Sequence, residues 1–129
     1  MTPKRYVFDT SIIVAKSFPA DAVGAISVVT LAELEFGVLA ASGDPVEQAL
    51  RITRLATVEA TFNPIVVSAE IARIWGQLAG LVNARGGQPR KRQFDLLIAA
   101  TAVANKVPLL THNVKDFTII ADRVQVVEP

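Results

Sequence analysis

Apolar residues return along this chain at two spacings. Short runs rich in branched and aromatic residues, bounded by charges, Gly or Pro, predict β-strands at 5–8, 25–29, 64–67, 108–111 and 124–127. Between them, apolar residues three or four apart predict helices. Residues 30–41 are rich in Leu, Ala and Glu, and 45–58 places Val46, Ala49, Leu50, Ile52 and Leu55 at helical spacing behind an Asp44-Pro45 start. Residues 68–84 carry Ile71, Ile74, Trp75, Leu78, Leu81 and Val82 on one stripe and stop at Arg85-Gly86-Gly87. Residues 93–105 are apolar nearly all round, as expected of a buried helix packed on a sheet.

Strands alternating with helices imply a mainly parallel sheet with right-handed crossovers and helices on both faces. The expected fold is a three-layer α/β/α sandwich with about five strands, in one domain over residues 1–129. Pairs of helices precede Pro64 and Pro108, longer than a minimal crossover, so the strand order stays open.

Composition narrows the chemistry. With 51% hydrophobic residues, a chain of 129 residues can bury both faces of a small sheet. The mean hydropathy of +0.41 is high, but apolar runs break well before the ~20 residues that span a bilayer. No basic segment with an apolar signal core opens the sequence, so a soluble, cytoplasmic protein is expected. The absence of cysteine excludes disulfides and thiolate metal sites, and a single histidine argues against imidazole-rich zinc. Any metal must be held by oxygen. Thirteen basic and twelve acidic residues leave a net charge of +1 and no global field toward nucleic acid. The basic residues are unevenly placed: no acid lies between Glu70 and Asp95, whereas Arg73, Arg85, Arg90, Lys91 and Arg92 do.

Four acids stand at strand ends or helix starts. Asp9 closes Tyr6-Val7-Phe8, at the C-terminal rim where α/β sheets bind ligands. Glu33 follows the second strand by one helical turn. Asp95 opens a helix that a very short turn joins to the strand at 108–111, so the helix runs back and returns its N-terminus to the rim. Asp116 leaves that same strand. Convergence requires the first, second and fourth of the expected strands to be neighbours. The plainer reading is capping: Thr30-Leu31-Ala32-Glu33 has the form of a capping box, as does Asn113 to Asp116, and Asp44 to Glu47 is read as nothing else. Against it, Asp9 and Glu33 sit among apolar segments where an uncompensated charge is costly. Clustered carboxylates need a counterion, and an all-oxygen set suits Mg2+ or Mn2+. Thr10, Ser11, Thr111 and Asn113 flank these acids and are candidates to orient water or phosphate oxygens. Arg90, Lys91 and Arg92 put positive charge beside the rim, suited to a phosphodiester backbone. His112 reads as a solvated loop residue, Trp75 as core or subunit interface, and Tyr6 lies in a strand.

The segments Val7-Phe8-Asp9-Thr10-Ser11, Ser27-Val28-Val29-Thr30-Leu31-Ala32-Glu33-Leu34 with Gly37, Asp95-Leu96-Leu97-Ile98-Ala99-Ala100-Thr101-Ala102 and Leu110-Thr111-His112-Asn113-Val114-Lys115-Asp116-Phe117 resemble, in order and spacing, the PIN domain and within it the VapC-type toxins of toxin-antitoxin pairs. The resemblance implies a metal-dependent endoribonuclease. Asp9, Glu33, Asp95 and Asp116 would hold one or two Mg2+ or Mn2+ ions, and a metal-activated water would attack the RNA phosphate. It also implies a homodimer and a VapB-type antitoxin whose C-terminal segment crosses the active-site groove. Two departures stand out: His112 where many relatives have Arg, and Phe94 where many have an acid or Asn. Two rivals remain. One is a phosphotransferase with Asp9 as nucleophile, which lacks a second acid two residues on and a Lys directly after the fourth strand. The other is a non-catalytic interaction domain whose acids only cap helices.

Overall fold

Aromatic and branched residues at positions 6–8 form the centre of the sheet, and everything that positions the acids follows from that strand. The computed structural model describes residues 2–129. In chain order its elements are β1 (Lys4–Phe8), α1 (Thr10–Ala15), β2 (Ala22–Ala25), α2 (Val28–Ala40), α3 (Pro45–Thr61) and α4 (Ala69–Ala84). A 3-10 turn at Pro89–Arg92 leads into α5 (Gln93–Ala104) and β3 (Leu109–Leu110), and a second at Val114–Ile120 leads to β4 (Val126–Val127). All strands are parallel, in the order β2-β1-β3-β4.

Side chains alternate across the sheet and divide the core in two. Val7 and Leu109 face one side, where Ile71, Leu78 and Val82 of α4 pack with Leu96, Ile98 and Ala99 of α5. Tyr6, Phe8 and Leu110 face the other, against Ile12 and Ile13 of α1, Leu34 of α2 and Val58 of α3. The three-layer α/β/α arrangement is therefore present. Trp75 packs at the margin of the first core. Among the described residues, no helix is long and apolar enough to cross a membrane.

The sheet has four strands rather than five. The run expected as a strand at 64–67 makes a single bridge, Ile65 to Ser27. Pro64 has no N–H to give, Val66 and Val67 turn outward, and Ser68 already caps α4 through the Ile71 N–H at 3.2 Å. The second strand is also displaced: β2 ends at Ala25, three residues before α2 begins at Val28. Branched residues at 26–29 read as strand, but Ser27 accepts the Val29 N–H at 3.0 Å and starts a helix there. Gly24 explains how β2 lies so close to β1. A Cβ at this position would meet the Phe8 ring at 2.1 Å. Helix α1 is a further difference, a short element that the apolar spacing does not predict.

Candidate active site

Parallel strands bring their C-terminal ends to one edge, and the order β2-β1-β3 makes the neighbours that convergence of the acids needs. Asp9 leaves β1, pinned by its N–H to the Leu110 carbonyl at 2.9 Å. Thr111 and His112 leave β3 beside it. Helix α5 ends in a tight turn with Lys106 at φ 56°, whose N–H reaches the Val103 carbonyl at 3.1 Å, so the chain reverses within three residues into β3. The start of α5, with Asp95, is thereby returned to the rim.

Three of the four acids, Asp9, Glu33 and Asp116, are held by named partners, whereas Asp95 lies in the first turn of α5. Asp9 is only 4% exposed. It occupies the N-cap position of α1, yet its side chain makes no cap bond. Its Oδ2 accepts the Thr111 hydroxyl at 2.7 Å and the Ser11 hydroxyl at 2.9 Å. Those hydroxyls in turn accept the Asn113 N–H at 2.9 Å and the His112 N–H at 3.1 Å, so the loop after β3 is tied to Asp9 through them. Glu33 accepts the Thr10 hydroxyl at 2.7 Å. That uses the only hydroxyl proton of Thr10, so the 3.0 Å contact with Thr30 is donated by Thr30. Arg92 donates to the Asp116 carbonyl at 3.1 Å and forms an ion pair with its carboxylate at 3.1 Å.

The acids also act on one another through their charge. Burial pushes the Asp95 carboxyl up to about 6, with the charges of Asp9, Glu33 and Asp116 adding to the rise and Arg92 opposing it. Burial also raises Glu33, against the Thr10 hydrogen bond and with a smaller push from Asp9. Among the described residues, no three acidic or histidine side chains are gathered tightly enough, as they lie, to hold one ion. Asp9 is hydrogen-bonded to Thr111, Glu33 to Thr10, and Asp116 is paired with Arg92. The donor set nevertheless fits a hard cation. It is all oxygen, and it carries excess negative charge, which adds to the rise that burial gives Asp95.

A cavity of about 280 Å³ opens at this rim, lined by Glu33, Asp95, Phe94 and the basic run Arg90 to Arg92. Thr10, Ser11 and Thr111 join the network by their side chains. Asn113 enters by its backbone N–H, and its exposed side chain makes no cap bond. Glu33 does not close a capping box on Thr30, because Ser27 is the cap and Thr30 lies buried inside the helix. Asp44 does cap, accepting the Glu47 N–H at 3.2 Å. Thr30 and Phe94 are the site residues that sequence reasoning missed. Thr30 was hidden by its capping pattern, and Phe94 was noted only as a departure.

A family model described as PIN domain matches residues 6–122. The chain is 38% identical to Ribonuclease VapC5 of Mycobacterium tuberculosis over 122 residues, covering 87% of this chain and 85% of that one. It is 35% identical to Ribonuclease VapC4 of the same organism over 131 residues, covering 95% of each. The chain belongs to the PIN-domain family, in its VapC group. The PIN fold also superposes on the crystal structure of VapBC-5, a toxin-antitoxin system member from Mycobacterium tuberculosis, with TM-score 0.80, 33% identity and 98% of both chains covered. In this PIN domain the four acids lie within the matched residues.

Proposed function

We propose that this PIN-domain chain is an Mg2+- or Mn2+-dependent endoribonuclease toxin, restrained in the cytoplasm by a VapB-type antitoxin. The observation that carries the proposal is that Glu33 and Asp95 line one cavity with Arg90, Lys91 and Arg92, while the charges of Asp9 and Asp116 reach Asp95 and add to the rise that burial gives it, to about 6. The ribonuclease names of its relatives and the VapBC-5 assembly support the activity and the partner. The capping alternative is weakened by the geometry, since Asp9 and Glu33 spend their oxygens on hydroxyls rather than on helix N–H groups.

Bound at these carboxylates, a divalent cation would supply Lewis acidity and a lowered water pKa next to the phosphate. The chain's own residues do the rest. Ser11 and Thr111 fix Asp9 by two hydrogen bonds on Oδ2, which leaves Oδ1 for a cation. Thr10 does the same for Glu33, and Thr30 orients Thr10. Arg92 sets Asp116 and offsets its charge. Arg90 and Lys91, both exposed, receive the phosphodiester. The aspartyl-phosphate alternative lacks its second acid, since position 11 is Ser.

The test is thermal unfolding of antitoxin-free protein with and without Mg2+ or Mn2+, paired with RNA cleavage. Metal at about 100 times its Kd stabilises by about 2.7 kcal/mol. Asp95→Asn should keep its fold, lose that stabilisation, and lose cleavage by roughly two orders of magnitude or more. Wild-type cleavage in Asp95→Asn, or none in the parent, would overturn the proposal.

A further inference from the structure

We propose that Phe94 is a stacking platform for the nucleobase next to the phosphate held at this site, an inference that rests on the ribonuclease reading above. Helix α5 is otherwise a core helix, with Leu96, Ile98, Ala99 and Ala100 at 2% exposure or less. Phe94, in its first turn, is 43% exposed and gives its ring to solvent instead. That ring lines the 280 Å³ cavity, and among the described residues it is the only aromatic group there. Its neighbours in the cavity are two carboxylates, three cations and Gln93.

Each of these groups has a different natural partner. Carboxylates take a cation and the basic side chains take phosphate, but an aromatic face takes neither. The part of a nucleotide it complements is the base, whose π-face stacks on Phe, Tyr or Trp irrespective of sequence. Position matters as much as type. Phe94 and Asp95 line the same cavity as Arg90 and Lys91, so a base on the Phe94 ring lies beside the phosphate held there. The platform is anchored from behind. Trp75 donates its indole N–H to the carbonyl of Gln93 at 3.2 Å, fixing the backbone just before it.

The experiment uses the Asp9→Asn protein, to prevent cleavage, and fluorescence anisotropy of a labelled single-stranded RNA and of an abasic strand with the same number of phosphates. Phe94→Ala should weaken the RNA on the order of 10- to 100-fold, the usual size of one lost stack, and leave the abasic strand unchanged. Phe94→Trp, with Trp75 kept, should restore binding, whereas Phe94→Leu should behave like Ala. Phe18→Ala is the control: that ring is 45% exposed but lines a separate groove, and its loss should leave RNA binding intact. The inference is overturned if Phe94→Ala binds RNA as the parent does, if Leu restores binding, or if Phe18→Ala weakens it equally. Retained RNA binding with lost antitoxin binding in Phe94→Ala would make the ring a protein contact and overturn it too. Failure of the ribonuclease reading is distinct: the wild-type chain then neither binds nor cuts RNA.

Discussion

Asp95 is the residue on which the site's charge balance can be measured. Its carboxyl sits at about 6 in the folded chain against an ordinary 3.8, so between those values the folded state binds more protons than the unfolded one. Stability of the metal-free protein is then greatest below about pH 4 for this group and falls as pH rises toward 6. Glu33, also raised, contributes with the same sign. Asp122, lowered to about 2 by the Arg85 guanidinium, acts in the opposite sense, but only between about pH 4 and 2. The two windows therefore separate. Melting temperature of metal-free protein should decline from pH 4 to 7, and Asp95→Asn should flatten most of that decline and melt above the parent at pH 7. An unchanged slope in the variant would place the strain elsewhere. Thr111→Val tests the neutral side of the same network. It removes a fully buried donor to Asp9, and should cost roughly 1–3 kcal/mol of stability and weaken metal binding.

At the scale of elements, α2 shows where the sequence was readable and where it was not. Its existence and its place around Glu33 follow from spacing, as do α3, α4 and α5. Its first residue does not, because Ser27 and Thr30 are both good caps three residues apart, and only the tertiary setting decides between them. Thr30 is taken up by Thr10 and buried, so Ser27 caps. Ser27→Ala should therefore cost about 1–2 kcal/mol in urea unfolding, and no change would move the helix start to Thr30. The strand at 64–67 failed for a related reason. Pattern reports an apolar, β-branched run, but pairing depends on free N–H groups and on a neighbour, and Ile65 alone has both. The four acids were readable because rim placement follows from chain direction. Their partners were not, since the hydroxyls of Thr10 and Thr111 meet Glu33 and Asp9 from 23 and 102 residues away.

For the whole molecule, a net charge of +1 means that RNA is not gathered by a long-range field. At physiological salt the Debye length is about 8 Å, so attraction comes from the patch at the cavity mouth. Of its three cations, Arg92 is engaged by Asp116, which leaves Arg90 and Lys91 to meet phosphate. Each phosphate neutralised on a single strand contributes a slope of about −0.7 to log K against log salt. Two contacts give roughly −1.4, a shallow dependence for a nucleic-acid enzyme. Titrating salt against binding of a single-stranded RNA by the Asp9→Asn protein should return a slope near that value, and Arg90→Gln with Lys91→Gln should bring it close to zero while the melting temperature stays put. A slope twice as steep, or one that survives the double substitution, would mean that the strand follows basic residues away from the cavity, and that the cavity holds only the nucleotide being cut.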